Sequence, residues 1–175
     1  IYTADDQTSI IDCGGAQDES GELAARYLQT NGIFRVDRLI LTHPDADHCN
    51  GAVQLLSRVR VNTLYLPLTA LKENGAMLQA IFKAAGRTGT RVVFVREDLE
   101  LSQENGSLTI LRPDLSQSGN DGGLCVLASH EKYDILVTGD LSRNAEYRLL
   151  SRCDLENIEL LVAGHHGAET STSEA

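Results

Sequence analysis

Tryptophan is absent from this chain, and aromatic residues make up only 5% of it. Recognition that leans on aromatic faces is thereby disfavoured, whether a cage for a choline-type cation or a platform for stacked bases. Long apolar runs are missing too. None approaches the roughly 20 residues that cross a bilayer, so the expectation is a piece that does not insert into a membrane. Four cysteines, Cys13, Cys49, Cys125 and Cys153, form no CxxC pair, which argues against a zinc ribbon. Positive charge is in short supply: 15 Lys and Arg face 25 Asp and Glu, a net charge of −10. Such a surface repels nucleic acid and anionic lipid at long range, so a polyanionic substrate needs a local feature that overcomes the repulsion. There is no signal-peptide pattern and no initiating Met. The chain opens at IYTADD and stops at TSTSEA, which reads as a domain excised from a longer protein.

What is present is enough apolar residue, 42% of 175, to bury a core, and the expectation is one domain spanning 1–175. Runs rich in Val, Ile, Leu and Thr predict strands at 9–13, 36–42, 61–66, 91–95, 107–111, 123–129, 133–139 and 158–163. Helical spacing predicts a helix over 20–30 burying Leu23, Ala24, Tyr27 and Leu28. It predicts a second over 50–58 burying Val53, Leu55 and Leu56, and a third over 75–85 burying Met77, Leu78, Ile81 and Phe82. A shorter one covers 142–151, and SHEKYD (129–134) reads as a hairpin tip. The pattern is α/β with mixed sheets, helices favouring the first half and a strand meander the second.

Three segments share a grammar: DRLILTH (37–43), DILVTGD (134–140) and ELLVAGHH (159–166). Each runs from an acidic residue through an apolar stretch to a metal-competent side chain. In layered α/β folds functional groups collect beyond the carboxyl ends of strands, so His43, Asp140 and His165 or His166 are expected at one rim. The densest group is HPDADH, with His43, Asp45, Asp47 and His48 inside six positions. Pro44 keeps His43 out of helix, so residues 43, 45 and 47 project to one side while His48 swings onto the next helix. Asp45 and Asp47 face the positive end of that helix, and Gly51 lets backbone pass close by. So many donors suit a pair of divalent cations rather than one. In GHHG (164–167) at least one imidazole is expected to ligate, and which one is open. Asp12, ending the run SIIDC, reads as a group that holds the ligand loop by hydrogen bonds. His130, on the hairpin tip, reads as a solvated turn residue. Cys125 reads as core, and Cys49 as a buried helix position rather than a ligand.

HPDADH, VTGD, NDGGLCVL (120–127), the glutamate of SRNAEYRLL (142–150) and HHGAETSTSE (165–174) together resemble the metallo-β-lactamase fold. The closest likeness is to the soluble domain of ComEC-type DNA-internalisation competence proteins, from about Thr8 onward. The resemblance implies an αββα sandwich, here truncated at one or both ends, with two metal ions at one edge. It makes His43, Asp45, Asp47, His48, Asp140, His165 and His166 metal ligands, Asp140 bridging. Asp45 stands where many relatives carry histidine, and Asn120 is the nearest substitute for a further histidine of the first site. It also implies a membrane-channel portion of the same parent protein as partner, and a position on the extracytoplasmic face of the cell membrane.

The chemistry expected is a metal-dependent phosphodiester hydrolysis, a nuclease degrading DNA during uptake, with Asp47 and Asp140 as catalytic residues. Three ligand carboxylates against two dications leave the centre at about +1, which admits a phosphodiester despite the acidic surface. Asp45 in place of imidazole shifts preference toward oxygen-seeking ions, making manganese a competitor to zinc. Lys83, Arg87 and Arg91, in a basic segment over 72–96, read either as a weak phosphate track or as an ordinary solvated face. Two alternatives stand beside the nuclease: a hydrolase of small phosphoesters, and a non-catalytic, metal-stabilised module that guides DNA.

Overall fold

The computed structural model describes residues 1–16, 19–73 and 75–172. Ser173 and Glu174, which closed the HHGAETSTSE motif, lie outside them. Two compact units emerge, one of Ile1–Leu66 and Ala70–Phe94, the other of Pro67–Thr69 and Val95–Ala175.

The first unit is built on a sheet ordered β1 (Tyr2–Ala4), β2 (Gln7–Ile11), β3 (Arg35–Ile40), β4 (Arg60–Pro67), β5 (Arg91–Val95). β1 and β2 are antiparallel, whereas β2, β3 and β4 run parallel with Ile11 beside Ile40 and Ile40 beside Tyr65. Parallel neighbours need crossovers, and α1 (Ser20–Thr30), α2 (Ala46–Cys49), α3 (Ala52–Arg58) and α4 (Ala76–Thr88) lie in the crossover segments. Their apolar faces close a core around Leu28, Leu39, Leu55, Leu64 and Ile81, all fully buried.

The face α1 buries differs from the expected one. Gly21, Ala25 and Leu28 point inward, while Leu23 and Tyr27 are 68% and 57% exposed. The reason is a close helix crossing: a Cβ on Gly21 would stand 2.0 Å from the Gly51 carbonyl oxygen. Small residues at the contact rotate the helix so that the bulkier pair faces outward. The helix expected over 50–58 is α3, starting at Ala52, and a separate turn before it, α2, carries Asp47 and His48. In α3 Leu55 and Leu56 are buried as expected, joined by Ala52, with Val53 partly covered; in α4 Leu78 and Ile81 are buried and Met77 and Phe82 partly so.

The second unit carries a sheet ordered β10 (Leu160–Val162), β9 (Tyr133–Val137), β8 (Cys125–His130), β7 (Gly106–Leu111), β6 (Leu99–Ser102). β7 to β9 form the expected strand meander, antiparallel and extended by β6, and the hairpin tip closes with His130 opposite Tyr133. β6 and the short β1 had not been expected, because neither four nor three residues make a readable alternation. β10 joins β9 in parallel, and α5 (Arg143–Leu150) buries Ala145 and Leu149 against Leu111, Leu136 and Leu141. The α/β reading with two mixed sheets holds. Among the described residues no helix is long and apolar enough to cross a membrane.

Candidate functional site

In the first unit the donors gather where β3 ends. Leu41 still pairs with β4 through Tyr65, and the chain then leaves the ladder at Thr42 and His43, both fully buried. Asp45 is the residue before α2, with its backbone extended, and its carboxylate lies 3.7 Å from His43 Nε2. The rings of His43 and His48 sit 4.1 Å apart between centroids. Asp47 projects outward.

Asp12 organises this turn. Its Oδ1 accepts the Thr42 N–H at 2.7 Å, and its Oδ2 accepts both the Thr42 hydroxyl and His48 Nδ1–H, each at 2.8 Å. The Thr42 oxygen, its proton given to Asp12, is then the acceptor for His43 Nδ1, 3.0 Å away. One carboxylate thus holds a proton on Nδ1 of both histidines, directly and through Thr42. Nε2 is left in each ring as the basic nitrogen, the atom a metal takes. The arrangement is bought with backbone strain, since Asp12 sits at φ 58°. Thr42 was missed by sequence reasoning; a hydroxyl next to a ligand histidine is the only signal that marks it.

Backbone contacts press the same turn from beneath. Cys13 N–H donates to the His48 carbonyl and Gly51 N–H to the Cys13 carbonyl, both at 2.8 Å. A Cβ on Gly14 would meet the Asp47 carbonyl group at 2.4 Å. Asn50 locks the loop further, its amide donating to the Gly15 carbonyl and accepting from the Gly15 N–H.

Burial raises all four cysteine thiols above their ordinary range. Burial pushes the Cys13 thiol up to about 11, and burial with Asp12, Asp45 and Asp47 nearby pushes Cys49 to about 12. Cys49 Sγ instead approaches the carbonyls of Pro44 and Asp45, and Cys125 is a buried core residue also raised to about 12 by desolvation.

In the second unit the register of one strand pair explains the remaining donors. Val137 of β9 lies beside Val162 of β10 in parallel. Their continuations, Thr138–Gly139–Asp140 and Ala163–Gly164–His165–His166, therefore emerge at one level. The His165 N–H donates to the Gly139 carbonyl at 3.1 Å. Asp140 is buried, and its Oδ2 stands 3.9 Å from Nε2 of both His165 and His166. Both histidines hold left-handed backbone, φ 50° and 54°, a conformation that costs about 1–3 kcal/mol per residue and needs outside support. Gly164 fits tightly here: a Cβ would lie 3.1 Å from Thr138 Oγ1 and 3.4 Å from Glu146 Oε1, so those side chains would have to give way.

Asn120 contributes its carbonyl to the Gly123 N–H. The adjacent Asp121 does more: it accepts from Ser142 N–H and Oγ–H, both at 2.9 Å, just past Asp140. Lys83 and Arg87 share the exposed face of α4, and Arg91 opens β5, exposed, with its guanidinium 3.5 Å from Thr63 Oγ1. His130 is the last residue of β8 and half-buried rather than a solvated turn residue, since its backbone pairs with both Gly106 and Tyr133.

Imidazoles with a fixed basic nitrogen beside carboxylates in the first unit, and two imidazoles beside Asp140 in the second, are donor sets that fit divalent metal. The family model described as Metallo-beta-lactamase superfamily matches residues 1–175. ComE operon protein 3 of Bacillus subtilis is 28% identical over 85% of the chain, and Recombination protein 2 of Haemophilus influenzae 31% over 85%. Competence protein ComA of Neisseria gonorrhoeae is 29% identical over 83%. The chain spans 19%, 17% and 19% of the length of these ComEC-type relatives. Among solved structures, the MIM-2 metallo-β-lactamase superposes with a TM-score of 0.62 over 91% of this chain and 66% of its own, at 22% identity. A Cronobacter sakazakii metallo-β-lactamase gives 0.59 over 91% and 68%, at 12%. These share the fold. Matched along its whole length, the chain belongs to the metallo-β-lactamase superfamily, a metal-dependent hydrolase fold, and is similar to the competence proteins within it.

Proposed function

We propose that this chain is the phosphodiesterase domain of a DNA-uptake protein, a single domain that works with two divalent ions, zinc or manganese. The observation that carries the reading is the way Asp12 sets both His43 and His48 to present Nε2, an expense of buried hydrogen bonding that plain structure does not require. His43, Asp45, Asp47 and His48 would hold metal from the first unit, and Asp140 with His165 or His166 from the second. When bound, two divalent ions supply an acidified water and neutralise charge on the oxygens of the ester. The chain's own part is orientation. Asp47, the carboxylate open to solvent, would orient the attacking water, and Asp140, the buried carboxylate, would hold metal. Lys83, Arg87 and Arg91 would meet backbone phosphates. In the parent protein the domain would lie at the outer face of the membrane beside a channel portion.

The test is incubation of the protein with single- and double-stranded DNA and added manganese or zinc. Strand cleavage is expected to fall at least a hundredfold in Asp47→Ala and Asp140→Asn. Cleavage by both variants at the rate of the unsubstituted protein would mark a contaminant and sink the assignment. Hydrolysis of small phosphomonoesters with DNA untouched would replace the substrate class.

A further inference from the structure

Glu146 is a carboxylate on α5 with 6% exposure, in a unit whose chemistry described so far does not use it. Burying a charged oxygen needs compensating donors. One of them is the main-chain N–H of Thr172, which reaches Glu146 Oε1 at 2.9 Å from 26 residues along the chain. The Thr172 hydroxyl in turn accepts the Gly164 N–H at 3.1 Å. Glu146 Oε1 and Thr138 Oγ1 are also among the atoms nearest to where a Gly164 Cβ would stand. The 164–172 segment is tied again where Arg143 N–H meets the Thr170 carbonyl and the Ser171 hydroxyl meets the Leu141 carbonyl. These bonds surround two consecutive histidines in left-handed backbone, which relax to ordinary conformations if released.

We propose that Glu146 is the positioning residue of the GHHG loop: through Thr172 it pins the backbone that presents His165 and His166 to Asp140. Its effect on metal rests on the function proposed above, whereas its effect on the loop does not. The role belongs to an acceptor oxygen rather than to a negative charge, so the glutamine side chain should serve.

Amide hydrogen exchange at His165 and Ala168 in the metal-free chain, paired with zinc affinity by chelator competition, tests this. Glu146→Ala and Thr172→Val are each expected to speed exchange at least tenfold and to weaken zinc binding 10–100-fold. Glu146→Gln should leave both within about threefold, as expected if the amide oxygen still accepts from Thr172. Thr172→Val removes only the Gly164 acceptor and carries the test by itself should Glu146→Ala fail to fold. Unchanged exchange in the alanine and valine variants overturns the proposal, as does a glutamine variant as damaged as the alanine. If the unsubstituted chain holds no zinc, the metal reading is lost while the exchange measurements still decide the role of Glu146.

Discussion

A single carboxylate, Asp12, does more for the candidate site than its position in the sequence announces. Asn at that position keeps the shape but replaces one acceptor oxygen with a donor. Either Thr42 or His48 then faces an N–H instead of an oxygen. Asp12→Asn should turn His48 to the other tautomer, visible as a change in its imidazole nitrogen resonances, and weaken zinc binding 10–100-fold. Stability should fall by about 1–3 kcal/mol, the usual range for a buried bond to a charged group. Unaltered resonances and affinity would show that Asp12 does not set the ring. The reading of Asp12 from sequence as a supporting group was possible because it ends a strand next to glycines. Its partner Thr42 was invisible, since threonine at a strand end is ordinary.

Between elements, glycines decide how closely helices and loops approach. Gly21 and Gly51 allow α1 and the start of α3 to touch backbone to backbone, and Gly14 does the same for the loop beneath Asp47. Gly86, on the outer face of α4, has nothing within 4 Å of where its Cβ would stand. The two kinds of glycine should respond with opposite signs. Gly21→Ala is expected to lower the denaturation midpoint by the equivalent of about 1–3 kcal/mol through overpacking. Gly86→Ala should raise it by about 0.5–1 kcal/mol, because helix-interior glycine loses more freedom on folding than alanine. A neutral Gly21→Ala would mean that α1 and α3 do not cross at this contact. Periodicity located α1 residue for residue, yet it assigned Leu23 and Tyr27 to the buried face, because hydrophobicity counts outweighed the small residues on which the helix rests.

At the scale of the whole molecule, charge is the obstacle to any nucleic-acid substrate. A chain of net charge −10 must find its cations locally, and the exposed Lys83, Arg87 and Arg91 are such a group. Reversing Arg87 and Arg91 to Glu should weaken binding of duplex DNA and lower the slope of log affinity against log salt by about 0.9 for each phosphate contact removed. Identical affinity and slope would make this segment an ordinary solvated face.

The sequence by itself determined the donor motifs, the α/β alternation and the family, because these depend on residue identity at short spacing and on where apolar runs stop. HPDADH is legible within six residues, and a strand ending in Gly-Asp or Gly-His-His announces itself without coordinates. Only the tertiary structure decided that β9 and β10 are parallel neighbours in matched register, which is what sets Asp140 beside both histidines. It alone showed the route from Glu146 through Thr172 to Gly164, and from Asp12 to two imidazoles at once. Glu146 and Thr172 are 26 positions apart and Asp12 and His48 are 36, while the shorter links run through the hydroxyls of Thr172 and Thr42, and hydrogen bonds of these kinds leave no periodic trace in the chain.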